Sequence, residues 1–272
     1  MKNKIIKALI YIFLVFLLIL CIIPFYLVII NSTYNSIEIV TKIKFTPGSY
    51  LLNNYRKLQE LTNIWRGFLN SLLIAVPYVV LTCYFGSFTA YGIAKYKFKG
   101  RTFFFSLVIA SMMIPSQLVV IGFYKLNLKL GLLNSYWPFI LPAIANSSAV
   151  FFLKGIIEET IPSSLIEAAR LEGYGEVRIF NKIVFPCITP GVATIGIFNF
   201  VSCWNNYLSP LIILSDSKKF TMPILISTIK GVFLSNYGAM YIAIAISVIP
   251  VIIIYAFLSK YIINGLTMGA VK

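Results

Sequence analysis

The chain has 272 residues, of which 59% are hydrophobic and only 11% are charged, and its mean hydropathy is +0.89. Because about a quarter of the residues of a typical soluble domain are charged, this composition excludes an ordinary soluble protein. The net charge of +15 comes from 23 basic residues scattered among short loops without a nucleic-acid-binding motif, so it does not indicate nucleic-acid binding.

Six apolar segments are long enough to cross the hydrocarbon core of a membrane, which is about 30 Å thick. They cover approximately residues 8–30, 71–93, 103–124, 137–157, 187–209 and 238–259. We therefore predict an all-α integral membrane protein with six transmembrane helices, forming a single domain over residues 1–272. The first segment follows lysines but is too long for a secretory signal peptide, so we expect it to be retained.

The distribution of basic residues favours a cytoplasmic location for both termini, because cytoplasmic loops carry an excess of lysine and arginine. The residues concerned are Lys2, Lys4 and Lys7 before the first span and Lys95, Lys97, Lys99 and Arg101 between the second and third. This orientation places the segment 31–70 outside, with a short amphipathic helix near 54–61. It places the loop 158–186, which holds five of the eight acidic residues, in the cytoplasm.

The loop 158–186 carries a polar motif with a specific spacing. The motif consists of Glu167, Ala168 and Ala169, then Gly173 after three residues, Ile183 after nine more, and finally Pro186. Ser164 and Glu167 have the spacing of a capping box, which predicts that Ser164 is the N-cap of a short helix. Gly173 should end that helix. A second helical piece over about 175–184 should end at Pro186, where the fifth span begins.

This motif resembles the EAA loop of bacterial ABC importer permeases, the cytoplasmic element that docks onto an ATPase subunit. The resemblance covers nearly the whole chain and is closest to the smaller permease subunit of maltose-type sugar importers. The other matching segments are 70–72, 90–94, 98–101, 112–117 (a kinked third span), 204–205 and 265–272. Two positions differ from the family pattern, since Glu172 replaces the usual Asp and Tyr174 stands where a small residue is common.

The resemblance implies the fold of a type I ABC importer permease in the plasma membrane of a bacterium, where the chain forms half of a translocation pathway for a carbohydrate. It implies as partners a second homologous permease, two ATPase subunits, an extracytoplasmic sugar-binding protein and the sugar itself. The sequence has no phosphate-loop motif. We therefore expect no cofactor and no enzymatic activity in this chain, with ATP and Mg bound by the ATPase subunits.

By the same resemblance, six residues couple the permease to the ATPase: Glu167, Ala168, Ala169, Gly173, Ile183 and Pro186. Glu167 is expected to meet a basic residue, and the two alanines to form a surface that packs closely against the ATPase. Each residue also has a purely structural explanation, in which Glu167 caps a helix, the alanines favour it and Gly173 stops it. Residues 265–272 would form either a second contact or a solvated tail.

The fifth predicted span carries polar residues at three- and four-residue spacing, which places them on one helical face. They are Asn199, Ser202, Asn206 and Ser209, and Asn205 lies beside them. We predict that these residues line the sugar pathway, because polar groups in a membrane helix usually face a wet cavity or the bundle interior. Hydrogen bonding between helices is the alternative explanation.

Two other functions remain open from the sequence. A stand-alone secondary transporter or channel would need no ATPase, but no predicted span has an acidic or basic residue near its middle, and histidine is absent. A membrane scaffold or assembly factor is the second alternative, and its partners would not be ATPases.

Overall fold

A computed structural model of the chain describes residues 2–229 and 236–268, and in these ranges the regular structure is entirely helical. In chain order the α-helices are α1 (Lys2–Asn31), α2 (Ser36–Thr41), α3 (Leu51–Leu61), α4 (Ile64–Lys95), α5 (Arg101–Met112), α6 (Ser116–Lys129), α7 (Trp137–Ile140), α8 (Ser147–Thr160), α9 (Ser163–Leu171), α10 (Glu176–Ile179), α11 (Phe185–Cys187), α12 (Thr189–Trp204), α13 (Leu208–Ile213), α14 (Met222–Ile229) and α15 (Tyr237–Met268). Two 3₁₀ helices cover Leu141–Ala145 and Ser217–Lys219, and one π-helical segment covers Phe180–Val184. The prediction of an all-α protein is confirmed. Residues 269–272 of the tail that resembles the family lie outside the described residues.

The predicted spans correspond to apolar helices. Within the described ranges, four helical segments are long and apolar enough to cross a membrane: Lys4–Asn31, Ile64–Lys95, Trp137–Thr160 and Tyr237–Phe257. Two bent helix pairs pass the same test together, which gives up to six spans if each pair is one span. The count then matches the prediction, whereas the side of the membrane on which the termini lie stays a prediction.

The predicted third span is broken rather than continuous. α5 ends at Met112, and the axis turns by 105° before residues Gln117–Lys129. Pro115 explains the break, because proline has no N–H to donate and disfavours a helical conformation in the residue before it. Pro115 itself is extended, with φ −60° and ψ 126°. The kink implied by the family resemblance is therefore present.

The predicted fifth span, 187–209, needs a correction at its C-terminal end. α12 stops at Trp204, and the Asn206 N–H then bonds to the carbonyl oxygen of Cys203 at 3.2 Å in a turn. The side-chain oxygen of Asn206 also accepts from the Ser209 N–H at 3.4 Å. Such local side-chain bonds compete with helix formation. Ser209 therefore belongs to α13, and the polar residues predicted to share one helical face do not lie on one helix.

The chain folds into two compact units, one of Met1–Phe68 with Met222–Pro250 and the other of Leu69–Thr221 with Val251–Lys272. In the first unit, the segment after α1 folds back on the end of that helix. The Tyr50 N–H donates to the Thr33 carbonyl oxygen at 2.8 Å, and the Gly48 N–H donates to the Thr33 hydroxyl at 2.7 Å. α3 follows and confirms the predicted short helix.

The second unit has a continuous apolar core to which the loop 158–186 contributes. Its buried residues are Ala90, Tyr91, Ala94, Ala149, Leu153, Ile157, Ile161, Ile166, Ala169, Ile179, Phe180, Val184, Ile188, Val192 and Ile195. α4 and α8 approach so closely here that a Cβ atom built on Gly86 would lie 2.8 Å from the Cβ atom of Ala149. Small residues allow membrane helices to pack this closely.

We expect Gly86→Ala to destabilise the second unit, because the added methyl group would overlap the side chain of Ala149. Overpacking a core in this way costs about 1–3 kcal/mol. Gly92→Ala, in the same helix, is the matched control, since no neighbouring atom lies within 4 Å of its Cβ position. Thermal unfolding in detergent should show a lower midpoint for Gly86→Ala alone, and equal midpoints would contradict the close helix contact.

Candidate functional site

The first half of the polar loop is α9, which begins directly after Pro162. Pro162 takes the N-cap position in an extended conformation, with φ −65° and ψ 142°, and no side chain caps the helix. The Leu165 N–H donates instead to the Pro162 carbonyl oxygen at 3.2 Å. Ser164 and Glu167 therefore lie inside the helix, and the predicted capping box is wrong. The fixed φ of proline sets the start of the helix before Ser164 can.

Gly173 ends this helical half of the loop, as predicted. Its φ of +83° lies in the left-handed region, which glycine adopts without steric cost. The Gly173 N–H donates to the Arg170 carbonyl oxygen at 2.9 Å. The Tyr174 N–H donates to the Ala169 carbonyl oxygen at 3.1 Å, which completes a Schellman motif. The chain thus changes direction between the two halves of the loop at Gly173.

The second half of the loop is a helical run over α10, the π-helical segment and α11. At its centre, the Phe185 N–H bonds to the Phe180 carbonyl oxygen, one residue farther back than in an α-helix. The wider turn accommodates Pro186, which has no N–H and whose ring would press on the carbonyl group four residues earlier. The run therefore ends at Cys187 instead of at Pro186, and the axis then turns by 79° into α12.

α9 has a buried face and an exposed face. Ile166 and Ala169 are buried in the core of the second unit, with 3% and 5% of their surface exposed. Glu167, Ala168 and Leu171 are exposed, and Leu171 is 90% exposed. The expectation that Ala169 forms an outward surface needs a correction, because its three-residue spacing from Ile166 places it on the buried face.

The second half of the loop is anchored in the same core. Ile179, Phe180 and Val184 are fully buried. The Phe180 ring meets the rings of Tyr84 and Phe88 edge-on, with centroids 5.6 Å and 5.0 Å apart. Aromatic pairs in this arrangement add to the stabilisation that burial gives. The loop is therefore packed against α4 and is not a free connection between spans.

The remaining predicted coupling residues differ in exposure. Gly173 and Pro186 are exposed, and Ile183 is half-buried against the core. The structure thus places Glu167, Ala168, Gly173 and Pro186 on the loop surface. Among the described residues, no three histidine, cysteine, aspartate or glutamate side chains are grouped so that they could hold a metal ion.

A hydrogen-bonded cluster joins both halves of the loop to the end of α4. Glu176 Oε1 accepts from Arg170 Nε at 2.7 Å. Glu176 Oε2 accepts from the hydroxyl groups of Tyr96 and of Tyr91, the latter at 3.3 Å. The guanidinium of Arg170 also lies over the Tyr96 ring, 5.4 Å from its centroid. We did not predict this cluster from the sequence, where its one sign is the pair of opposite charges, Arg170 and Glu176, that flanks Gly173.

The cluster fixes the ionisation of its members. The hydrogen bond from Arg170 lowers the pKa of Glu176 below its ordinary value of 4.5, and the bond from Tyr96 acts in the same direction. The hydrogen bond to Glu176 raises the pKa of Arg170. Burial and the neighbouring carboxylate raise the pKa of Tyr96. At neutral pH the carboxylate is therefore charged, and Arg170 and Tyr96 keep their protons.

Asn199, in α12, forms hydrogen bonds within the protein. It is 7% exposed, and its side-chain oxygen accepts from the Asn146 side chain at 2.9 Å. Its side-chain nitrogen donates to the Ile195 carbonyl oxygen at 2.9 Å. The Asn146 side chain also donates to the Tyr78 hydroxyl at 2.9 Å. Hydrogen bonding between helices, the alternative explanation, therefore describes Asn199.

The other polar residues proposed for the pathway lie at or beyond the end of α12. Ser202 and Asn205 are exposed. Asn206 is partly exposed and lines a small pocket together with Ser71 and Cys203. These three predicted residues are thus accessible, although they are not arranged along one helical face with Asn199.

Comparison with other proteins identifies similar chains. Residues 83–267 match the family described as binding-protein-dependent transport system inner membrane component. An arabinooligosaccharides transport system permease protein of Bacillus subtilis is 34% identical over 96% of this chain and 94% of its own length. The polygalacturonan/rhamnogalacturonan transport system permease protein of the same organism is 33% identical over 100% of both chains. Its melibiose/raffinose/stachyose import permease protein is 32% identical over 92% of this chain and 91% of its own.

A solved structure shares the fold. It is a chain in the crystal structure of a bacterial ABC transporter involved in the import of the acidic polysaccharide alginate. The TM-score is 0.83 at 21% identity, and the match covers 96% of this chain and 97% of that chain. The predicted importer permease fold is therefore confirmed.

Glu176→Gln should weaken the attachment of the loop, because a neutral amide loses the charge-assisted bond from Arg170. The two side chains are 45% and 41% exposed, so we expect a loss of at most about 1 kcal/mol at neutral pH. The folded-state pKa of Glu176 is lowered, so this stabilisation is present above the unfolded-state pKa and is lost as pH falls through the folded-state pKa. Unfolding midpoints of the parent and the variant in detergent should therefore converge as the pH falls below this lowered folded-state pKa. A difference that is constant with pH would contradict the ionic link.

Gly173→Ala should cost about 1 kcal/mol through backbone strain alone. No neighbouring atom lies within 4 Å of the Cβ position, so a steric clash does not contribute. Gly173→Asn is the matched control, because asparagine tolerates the left-handed conformation better than alanine does. Unfolding midpoints should fall in the order Gly, Asn, Ala, and an alanine variant as stable as the parent would show that the positive φ is not required.

Proposed function

The chain belongs to the family of binding-protein-dependent transport system inner membrane components, and on this basis we propose its role within such a system. It is a permease subunit that forms half of the membrane pathway of an ATP-driven importer. The loop from α9 to α11 couples this subunit to a separate ATPase. The imported substrate is a carbohydrate.

The proposed class of substrate rests on the relatives. Their names specify arabinooligosaccharides, polygalacturonan or rhamnogalacturonan, and melibiose, raffinose or stachyose. Each of these is built from two or more sugar units. Since the relatives match this chain over more than nine tenths of its length, we propose that its substrate is also an oligosaccharide or a derivative of one.

The exposed face of α9 is the proposed ATPase contact. The exposure of its side chains is the observation that carries the proposal. Glu167 is exposed, and Leu171, one helical turn later, is 90% exposed. Ala168, beside them, leaves room for a partner to approach closely. Such a face suits a cleft that pairs the carboxylate with a basic side chain and covers the leucine with apolar groups.

The buried face of the loop would transmit the movement of a docked ATPase. Ala169 and Phe180 are packed into the core of the second unit, and the cluster around Glu176 joins the loop to α4. Because close-packed interiors deform little, the loop and the adjoining helices should move together. Closure of two ATPase subunits on ATP would then switch the permease pair between inward- and outward-facing states.

The proposed importer includes other proteins, and a few residues of this chain would line its sugar pathway. The partners are a second homologous permease, two ATPase subunits that hold ATP and Mg, and an extracytoplasmic sugar-binding protein. Ser202, Asn205 and Asn206 are the proposed pathway residues, because their side chains are accessible. We leave out Asn199, whose side chain is already hydrogen-bonded on both its oxygen and its nitrogen.

Purification of the tagged full-length chain in mild detergent should recover a phosphate-loop ATPase and a second permease, identified by mass spectrometry. Glu167→Lys should remove the ATPase from this complex and abolish uptake, because the lysine would repel the basic residue expected in the cleft. Membrane insertion and the second permease should be retained, since Glu167 is exposed on a loop outside the spans.

Glu159→Lys is the matched control, because Glu159 is an exposed glutamate in the last turn of α8 and not on α9. This variant should retain the ATPase and uptake. Normal ATPase recovery and uptake with Glu167→Lys would count against docking through α9. Recovery of the parent chain alone, from membranes that contain such partners, would favour a stand-alone transporter.

A further inference from the structure

The segment 36–45, between α1 and α3, carries an uncovered apolar surface. Ile37, Val40, Ile43 and Phe45 are 76%, 66%, 79% and 62% exposed. Contiguous exposed apolar residues of this kind mark a surface that contacts another phase or molecule. They begin six residues after the end of α1, a helix that is long and apolar enough to cross a membrane.

The exposed apolar side chains lie partly in α2 and partly in the stretch without regular structure that follows it. Ile37 and Val40 are three residues apart in α2, which places them on one face of that helix. Beyond α2, Ile43 and Phe45 are exposed, whereas the amino group of Lys44 between them lies 5.2 Å from the centroid of the Tyr34 ring. The segment therefore exposes apolar side chains both in α2 and after it, with the exposed polar residues Thr41 and Lys42 between the two parts.

A hydrogen bond places Phe45, the last residue of this segment, beside α1 and not beyond its end. The Tyr26 hydroxyl donates to the carbonyl oxygen of Phe45. Tyr26 lies five residues before Asn31, the last residue of α1, which corresponds to roughly 7 Å along the helix axis. Helical side chains also tilt toward the N-terminus, away from that end. In a second hydrogen bond, the Tyr34 hydroxyl donates to the Thr46 carbonyl oxygen at 2.7 Å. This bond holds the chain that follows the segment close to Tyr34, three residues after the end of α1.

The position of Tyr26 along α1 corresponds to the membrane–water interface. The apolar run of α1 extends from Ala8 to Ile30, and Tyr26 lies near its end, where tyrosine is enriched at the level of the lipid head groups. Phe45, held at that level by Tyr26, meets lipid unless another protein covers it. Lys42, which is exposed, can extend its amino group toward the head groups while its neighbours stay in the apolar region.

We propose that Ile37, Val40, Ile43 and Phe45 insert into the lipid interface on the side of the membrane where α1 ends. The segment 36–45 then acts as an interfacial anchor that fixes the depth of α1 and the direction in which the chain leaves the membrane. The proposal depends on α1 crossing the membrane. It does not depend on the transported substrate or on ATPase docking, so the two proposals can fail separately.

Depth measurement by electron paramagnetic resonance tests this anchor. The full-length chain, with its copurifying subunits, is reconstituted in nanodiscs of phosphatidylethanolamine and phosphatidylglycerol. Spin labels are attached to Ile43→Cys and Phe45→Cys in a background whose native cysteines, Cys21, Cys83, Cys187 and Cys203, are replaced by alanine. The ratio of collisions with oxygen to collisions with a water-soluble nickel complex should be several times higher at these sites than at the control Gln59→Cys, an exposed polar position in α3.

Val15→Cys, in the middle of α1, gives the reference value for a lipid-facing site. Ratios at positions 43 and 45 that lie between those at 59 and 15 support the anchor. Ratios equal to that at position 59 would show that the segment is in water and overturn the proposal. Shielding from both reagents, whether permanent or only on addition of the sugar-binding protein, would assign the surface to a protein partner and also overturn it.

Discussion

The hydrocarbon core of a membrane has no water to hydrogen-bond the backbone, so every N–H and C=O group there must find a partner within the protein. Long helices meet this requirement in α1 and α4, and each interruption needs a substitute bond. Where the fourth span leaves helical geometry at Asn146, the side-chain oxygen of that residue accepts from the Ala149 N–H at 2.9 Å and starts α8. Before α12, Pro186 is accommodated differently, by a π-helical turn in which the Phe185 N–H donates to the Phe180 carbonyl oxygen. The chain bends where a residue can supply the substitute, and these bends determine where the polar loop emerges.

The features that the sequence predicts correctly depend on single residues with strong backbone requirements. Gly173 marks the change of direction in the loop because few other residues adopt a φ of +83°. Pro115 marks the break in the third span because it has no N–H and disfavours helical geometry in the residue before it, although α1 and α4 continue through Pro24 and Pro77. Ser164 shows the limit of such reasoning. Its spacing from Glu167 fits a capping box, but Pro162, two residues earlier, already sets the start of α9, and spacing alone does not choose between two start signals.

Burial and long-range contacts are not contained in local spacing. Ala168 and Ala169 have the same chemistry, and only the packing of α9 against the core makes one exposed and the other 5% exposed. The bond between Tyr96 and Glu176 joins residues 80 positions apart, which no motif within the loop can indicate. The polar spacing that begins at Asn199 fails for a related reason, since it assumes a helix that continues past Trp204.

The two departures from the family pattern have different consequences for the proposed docking. Tyr174 is partly buried against the core, and the guanidinium of Arg178 lies 4.6 Å from the centroid of its ring. This side chain therefore contacts its own chain, and its size is accommodated without enlarging the exposed surface of α9. Glu172 is exposed at the C-cap of that helix, next to Leu171. A carboxylate at the C-terminal end of a helix is unfavourable unless a cation approaches it. Glu172 would therefore favour a second basic group in the proposed ATPase cleft. A cleft with basic groups on both sides of an apolar pocket would complement Glu167, Leu171 and Glu172 together.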